Sequence, residues 1–234
     1  MKHYLSPSLM CCDLLNVERD LHILEKTGMD MIHYDIMDTS FTTGTMLPAL
    51  MLERVARTTN LPMDVHIMSL SPECYFPQVL PWCRGGYVSI HAEGLRNLPL
   101  LLSEIRNAGV GAGVALNAGT PLCCLEEVAP LVDMVVLMNG VAGCNRMKLD
   151  IDSHMENRIR RTRALLDRMG RTHALLSVDG NISLDNARRA RRGGANTFVL
   201  GTASIFRPER PLEETCLDFR AQLENEAWKE ASQS

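Results

Sequence analysis

The sequence predicts an α/β protein that folds as a single (β/α)8 (TIM) barrel. Short apolar runs alternate with longer amphipathic segments from one end of the chain to the other, as expected for repeated β-then-α units. The apolar runs are hydrophobic on both faces, which is typical of parallel strands covered by helices. The length of 234 residues also suits one barrel. A doubly wound open sheet is the alternative, but no G-x-G-x-x-G motif follows the first run.

Eight strand-like runs and six longer helix-like segments can be placed in order along the chain. Each strand-like run is short, apolar and followed by polar or turn-forming residues. The predicted strands are residues 5–10, 31–36, 63–68, 87–91, 110–116, 134–138, 174–178 and 197–200. The helix-like segments show the periodicity of helices with one buried face. They are residues 16–26, 49–58, 99–107, 151–169, 184–192 and 213–228.

Composition limits the function classes. No low-complexity linker divides the chain, so residues 1–230 are expected to form one barrel domain, followed by a polar tail at residues 231–234. No apolar stretch reaches about 18 residues, and Ser6, Pro7, Ser8 and Asp13 interrupt any signal-peptide core. The net charge of −4 disfavours a general nucleic-acid binder. We therefore expect a cytoplasmic protein without a nucleic-acid or membrane partner.

Cysteines and arginines have mainly structural interpretations. The eight cysteines include no C-x-x-C pair, so reduced thiols in a cytosolic protein are favoured over a zinc knuckle. Several arginines crowd the helix at residues 151–169. A solvated outer helix face is favoured over an anion or nucleic-acid patch, given the negative net charge. The arginines concerned are Arg158, Arg160, Arg161, Arg163 and Arg168.

The predicted carboxyl ends of three strands carry side chains that suit a metal ion. His33 and Asp35 lie two apart on the second strand, His66 lies on the third and Asp179 ends the seventh, and barrel chemistry occurs at these ends. Burying Asp35 with Asp179 is costly unless a cation compensates. Two imidazoles and two carboxylates suit Zn²⁺, with Fe²⁺, Mn²⁺ or Co²⁺ as alternatives.

Other polar residues near these ends have open interpretations. Asp64 either orients His66 from behind or is only a polar residue at the start of a strand. His91 and Glu93 end the fourth strand, and Asn117 ends the fifth. These three residues either line the pocket or are polar residues satisfied by loop backbone.

Five short motifs occur in order along the chain. They are Ser6-Pro7-Ser8-Leu9-Met10, His33-x-Asp35-x-Met37-Asp38, Asp64-Val65-His66-Ile67-Met68, Leu116-Asn117-x-x-Thr120-Pro121 and Val178-Asp179-Gly180. This ordered set resembles the ribulose-phosphate 3-epimerase family from about residue 5 to residue 206. The run Pro7 to Cys11, followed by Asp13-Leu14-Leu15, is most similar to the D-allulose-6-phosphate 3-epimerase branch.

The resemblance implies a metal-dependent isomerase, expected as a homo-oligomer, that epimerises C3 of a phosphorylated ketose through an enediolate. The substrate would be D-allulose 6-phosphate or D-ribulose 5-phosphate. Asp35 and Asp179 match the acid–base pair, and together with His33 and His66 they match the metal ligands. Two carboxyl groups on opposite faces of a sugar can remove a proton from one face and return one to the other. The implied substrate contacts are Ser8, Met37, His66, Met68, Met138, Gly143, Asn181, Gly201 and Thr202.

Three departures from the family pattern affect the substrate shell and not the metal ligands. Residues 39–44 lack the family's Gly and Pro-Asn, the loop at residues 139–145 differs and is shorter, and Asn181 stands where a second Gly is usual. We expect retained chemistry with changed substrate choice, and a weakened enzyme is the second interpretation. A non-catalytic sugar-phosphate-binding paralogue and a metal-dependent hydrolase are the rival functions.

Overall fold

The computed structural model describes residues 2–44, 46–143 and 149–231. Eight parallel strands form one sheet in the order β1-β8-β7-β6-β5-β4-β3-β2. A parallel bridge between Ser8 and His33 joins the two ends of this sheet into a nearly closed barrel. The predicted (β/α)8 barrel is confirmed. The strands are β1 (Tyr4–Pro7), β2 (Ile32–Met37), β3 (Met63–Met68), β4 (Tyr87–His91), β5 (Gly111–Leu116), β6 (Met134–Met138), β7 (Leu175–Asp179) and β8 (Thr197–Leu200).

Seven α-helices occur in the part of the chain that the structure describes. They are α1 (Val17–Lys26), α2 (Ala49–Thr58), α3 (Phe76–Val79), α4 (Leu98–Asn107), α5 (Ser153–Arg168), α6 (Leu184–Arg192) and α7 (Leu212–Ala231). The short α3 lies between two 3-10 turns, where Pro72, Pro77 and Pro81 limit regular helix. Two 3-10 turns, Leu122–Leu125 and Ala129–Leu131, connect β5 to β6.

The first strand is shorter than predicted. It ends at Pro7 instead of continuing to residue 10. The N–H of Ser8 still donates to Leu200 O at 2.8 Å, but Cys11 N–H then donates back to Ser8 O at 3.0 Å. The chain therefore turns at residues 9–11 and leaves the sheet.

The barrel has two apolar cores separated by the sheet. Alternate strand residues, such as Ile32, Tyr34 and Ile36 on β2, pack outward against the helices. A smaller core, which includes Met134, Val136 and Leu175, lies inside the barrel. Successive residues of a strand face opposite sides, so β2, β3, β5, β6 and β7 each contribute buried residues to both cores.

Two of the predicted solvated arginines are instead buried. Arg158 is 9% and Arg163 8% exposed, because both guanidinium groups hydrogen-bond to main-chain carbonyls. Arg158 donates to Asn117 O at 3.1 Å and to Thr120 O at 2.7 Å. Arg163 donates to Ala174 O at 2.9 Å. The expectation of a uniformly solvated face was wrong at these two positions.

The remaining expectations concern membrane-spanning segments, the domain boundary, the loop at residues 139–145 and the cysteines. Among the described residues, no helix combines the length and apolar character needed to cross a bilayer. The domain boundary after residue 230 stays a prediction: α7 extends to Ala231, and residues 232–234 lie outside the described residues. So do residues 144 and 145 of the loop at 139–145. The seven described cysteines are free thiols.

Candidate metal centre and active site

Four side chains meet at the carboxyl end of the barrel. His33 and Asp35 come from β2, His66 from β3 and Asp179 from β7, and each offers one ligand atom within 4.8 Å of the others. The β2–β3 register places Asp35 directly beside His66. Side chains two apart on a strand share a face, so all four point into the barrel mouth. The predicted clustering of these residues is confirmed.

The donor atoms fit a divalent cation. His33 Nε2 lies 3.2 Å from Asp35 Oδ1, and His66 Nδ1 lies 3.6 Å from Asp179 Oδ2. Both of these ring nitrogens are buried and have no hydrogen-bond partner among the described residues. A buried polar atom usually has a partner. Two imidazole nitrogens and two carboxylates directed at one point therefore form a set that could bind a metal ion.

Asp64 orients His33 and not His66. Its Oδ2 lies 2.8 Å from His33 Nδ1 and also accepts a hydrogen bond of 2.8 Å from Ser6 Oγ. The expectation that Asp64 orients His66 was wrong, because the strand register places Asp64 beside His33. A carboxylate on Nδ1 fixes the proton there and leaves Nε2 free to bind a cation.

The electrostatics of the cluster favour charged groups. Burial acts to raise the pKa of Asp35, but the charges of His33 and His66 and the hydrogen bond from Ser8 outweigh it and lower that pKa below its usual range. Burial acts to lower the pKa of His33, but Asp35 and Asp64 raise it well above its usual value. Without a cation, mutual attraction between these groups compensates part of their desolvation.

A cavity of about 370 Å³ opens above the four ligands. Asp35 and Asp179 form part of its wall, whereas the fully buried His33 and His66 lie beneath it. The cavity wall includes every predicted substrate contact except His66. Those in the wall are Ser8, Met37, Met68, Met138, Gly143, Asn181, Gly201 and Thr202. The cavity wall also includes Met10, Cys11 and Asn139, which the sequence analysis did not identify as site residues.

Asn181 keeps a glycine-like backbone at the end of β7. Its φ of 50° makes it the one described non-glycine residue with positive φ, and asparagine tolerates this conformation better than most residues. Its side chain donates to Leu149 O at 3.0 Å, and Asn139 Nδ2 donates to the same oxygen at 2.7 Å. Asn181 can therefore adopt the backbone conformation that the family's usual glycine would have at this position. Asn139 is held in the cavity wall by contacts between loops, and no local sequence motif predicts such contacts.

His91 and Glu93 lie behind His66. His91 Nε2 is 3.0 Å from His66 Nε2, and His91 Nδ1 is 2.9 Å from Glu93 Oε2. Burial acts to raise the pKa of Glu93, but hydrogen bonds from His91, Thr120 and Asn117 lower it to about 2. The sequence left open whether these residues line the pocket or are satisfied by loop backbone. Glu93 accepts hydrogen bonds from loop groups, whereas His91 contacts the candidate ligand His66.

Comparison with known proteins assigns the family. The sequence profile of the Ribulose-phosphate 3 epimerase family matches residues 4–206. The chain belongs to the ribulose-phosphate 3-epimerase family. The resemblance seen in the motifs and the predicted enzyme class, an isomerase, are thereby confirmed.

Relatives of this family match most of the chain. A ribulose-phosphate 3-epimerase of Bacillus subtilis (strain 168) is 32% identical over 207 residues, which cover 88% of this chain and 93% of the relative. A chloroplastic ribulose-5-phosphate-3-epimerase of Arabidopsis thaliana is 31% identical, covering 85% and 70%. Among solved structures, a mutant tryptophan synthase alpha-subunit from Pyrococcus furiosus has a TM-score of 0.68 at 13% identity, covering 96% of this chain and 100% of that one. This structural likeness concerns the fold alone.

Proposed function

We propose that the protein is a metal-dependent ketose-phosphate 3-epimerase that uses Asp35 and Asp179 as its acid–base pair. The observation that carries this proposal is the geometry of these two carboxylates, which reach one cavity from β2 and β7 and share a cluster with two imidazoles. Family membership supports the same reaction. Zn²⁺ is our first choice of cation, since His and Asp ligands suit it, with Fe²⁺, Mn²⁺ or Co²⁺ as alternatives.

Each residue has a definable task in this reaction. One aspartate removes the weakly acidic proton from C3 of the ketose, and the other returns a proton to the opposite face. Bound at this cluster, the cation would stabilise the negative charge of the enediolate between the two steps. Ser8 holds Asp35 through a hydrogen bond of 2.7 Å from its Oγ to Oδ2. Met37, Met68 and Met138 give the reacting carbon apolar surroundings that do not exchange protons.

The end of the cavity near β7 and β8 suits the phosphate group. Barrels often bind phosphate in the loops that follow these two strands. Gly180, Asn181, Gly201 and Thr202 line the cavity there, and backbone N–H groups next to small residues can approach phosphate oxygens closely. We propose D-allulose 6-phosphate as the first substrate and D-ribulose 5-phosphate as the second, on the similarity of the N-terminal motif.

Deuterium exchange tests this function directly. The metal-loaded protein is incubated with each ketose phosphate in D₂O, and deuterium at C3 is followed by NMR. Exchange at C3 with formation of the epimer is the expected result, faster for the preferred sugar. Binding without exchange would instead identify a sugar-phosphate-binding paralogue. Loss of phosphate from the sugar would identify a hydrolase, and either result would overturn the proposal.

A further inference from the structure

The two nitrogens of His66 have different surroundings. Nδ1 faces Asp35 and Asp179 and has no hydrogen-bond partner among the described residues. Nε2 lies 3.0 Å from Nε2 of His91. A neutral imidazole carries one proton, and the nitrogen that binds a cation must be the other one. His66 can therefore bind a cation through Nδ1 only if its Nε2–H has an acceptor behind it.

His91 can be that acceptor only in one tautomer. Its own Nδ1 lies 2.9 Å from Glu93 Oε2, and an ionised carboxylate only accepts hydrogen bonds. The proton of His91 is therefore on Nδ1, and Nε2 is free to accept from His66. His91 is fully buried, and its ring packs near those of Phe41 and His66, with centroid distances of 4.4 Å and 5.0 Å. Both its proton and its ring plane are thus fixed.

We propose that Glu93 is a positioning residue for the metal centre: acting through His91, it holds His66 in the tautomer whose Nδ1 faces the cation. This inference rests on the metal-dependent function proposed above. The two ligand histidines are then oriented by different means. Asp64 contacts His33 directly at 2.8 Å, whereas Glu93 acts on His66 across a second imidazole.

The other oxygen of Glu93 ties the same carboxylate to the loops around the cavity. Oε1 accepts from the N–H of Asn117 at 2.7 Å and from the hydroxyl of Thr120. Asn117 Oδ1 in turn accepts from Ala142 N–H at 3.1 Å. The neighbours of Ala142 in sequence, Val141 and Gly143, line the cavity. One carboxylate therefore links the orientation of a metal ligand to the loop beside the substrate.

The arginine on α5 supports this link. Arg158 Nη2 donates to the main-chain carbonyls of Asn117 and Thr120, the two residues whose N–H and hydroxyl groups reach Glu93. The guanidinium group thereby holds the same segment through its carbonyl groups. The geometry leaves Glu93 little freedom to leave His91, as a positioning role requires.

The substitution Glu93→Gln tests the proposal because an amide cannot reproduce these contacts. If its NH₂ faces His91 Nδ1, His91 must move its proton to Nε2, and His66 then loses its acceptor. If its carbonyl faces His91, the NH₂ opposes the N–H of Asn117. We expect the dissociation constant of the metal-free protein for Zn²⁺ or Co²⁺ to rise about 10- to 100-fold, with a changed visible spectrum of the Co²⁺ form.

The matched control is Glu25→Gln at the other end of the barrel. Glu25 also accepts side-chain hydrogen bonds from a loop, from Thr59 at 2.8 Å and from Asn60 at 2.7 Å. This variant should lose comparable loop contacts without any change in metal affinity. His91→Phe, which removes the acceptor but keeps an aromatic ring, is the second variant and should weaken metal binding like Glu93→Gln. Unchanged metal affinity and Co²⁺ spectrum in folded Glu93→Gln would overturn the proposal.

A second readout separates this proposal from the enzymatic function. NMR of imidazole ¹⁵N nuclei in the metal-free protein reports which ring nitrogen of His91 carries the proton. We expect it on Nδ1 in the wild-type protein. A proton on Nε2 of His91 would refute the positioning role even if the protein is an active epimerase. The expected tautomer in a protein that shows no C3 exchange would contradict only the proposed function.

Discussion

At the scale of single residues, the two carboxylates of the candidate centre differ in their surroundings. Asp35 Oδ2 accepts from Ser8 Oγ, while its Oδ1 faces His33 and His66. The Asp35 side chain is 4% exposed, against 15% for Asp179. Because β2 and β7 are not neighbours in the sheet, the carboxylates approach the cavity from separate sides. A sugar carbon between them would meet one carboxylate on each face, as epimerisation requires.

Asp35→Asn and Asp179→Asn should each abolish epimerisation at C3. An amide of the same shape cannot take or give the proton, and loss of one general acid–base group costs about 10²- to 10⁴-fold in rate. The measurement is the conversion of one C3 epimer into the other, followed by NMR with saturating metal. Asp185→Asn, on the exposed first turn of α6, is the control and should leave the rate of epimerisation unchanged. Wild-type rates in either active-site variant would refute the two-carboxylate mechanism.

Asn181 shows how one residue can satisfy two structural demands. Its backbone has the positive φ that glycine adopts without strain, while its amide holds Leu149 O. Alanine and glycine substitutions both remove this amide. They differ mainly in backbone preference, so comparing them isolates the contribution of the left-handed conformation.

Asn181→Ala should be less stable than Asn181→Gly by about 1 kcal/mol, because the left-handed conformation costs a residue with Cβ about that much. Urea unfolding of the two variants measures the difference in the free energy of unfolding. At a position with negative φ, the alanine variant is usually the more stable of the two, because glycine has more conformational freedom in the unfolded chain. An alanine variant as stable as the glycine variant would show that residue 181 is not held at positive φ in solution.

At the scale of elements, β4 and β5 approach closely inside the barrel through small residues. Gly113 pairs with Ser89 in the register. A Cβ built on Gly113 would lie 2.9 Å from Ser89 Cβ and 3.0 Å from Ser89 Cα. Real Cβ atoms essentially never lie closer than 3.0 Å to another heavy atom, so Ser89 or its strand would have to shift. The layer of the barrel below the metal centre therefore depends on this glycine.

Gly113→Ala should destabilise the protein by about 1–3 kcal/mol, the usual cost of an overpacked interior. Thermal or urea unfolding measures this cost. The double variant Gly113→Ala with Ser89→Gly moves the side chain to the partner strand and should recover part of the loss. Gly119→Ala is the control, because a Cβ there meets no atom within 4 Å. Equal stabilities of the Gly113 and Gly119 variants would contradict the close packing of β4 on β5.

The sequence predicts the strands well as elements, and the bounds of four of them match the structure. Strands β3, β4, β6 and β8 have the predicted bounds. The first strand was predicted too long, because the turn after Pro7 depends on a hydrogen bond between Cys11 and Ser8 rather than on composition. The two 3-10 turns between β5 and β6 are too short for helical periodicity to indicate them.

The part of the candidate site that depends on the alternation of side chains along each strand could be predicted from the sequence. Side chains two apart at strand ends determine which residues meet at the mouth, so the four candidate ligands could be identified. Asp64 was assigned the wrong histidine because its partner depends on the register between strands. The link through Glu93, Asn117 and Arg158 joins residues far apart in sequence. No local pattern indicates such contacts.

At the scale of the whole molecule, the barrel interior carries an unusual concentration of buried polar groups. His33, Asp64 and His66 are fully buried, and Asp35 is nearly so. Burial of charged groups is costly unless they are paired or coordinate a cation. In the metal-free protein, the apolar core between sheet and helices must offset the part of this cost that pairing leaves uncompensated. A bound cation would remove part of it, so metal binding and global stability should be linked.

Metal removal should therefore lower the unfolding temperature of the whole barrel. A ligand at 100 times its dissociation constant stabilises the native state by about 2.7 kcal/mol, and each kcal/mol shifts the Tm of a protein this size by roughly 2–4 °C. Differential scanning calorimetry of chelated and Zn²⁺-loaded protein should thus show a difference of about 5–11 °C. His66→Ala, lacking one ligand, should lose most of this shift at the same Zn²⁺ concentration. Identical transitions with and without metal in the wild-type protein would mean that the four side chains do not bind a cation in the native state.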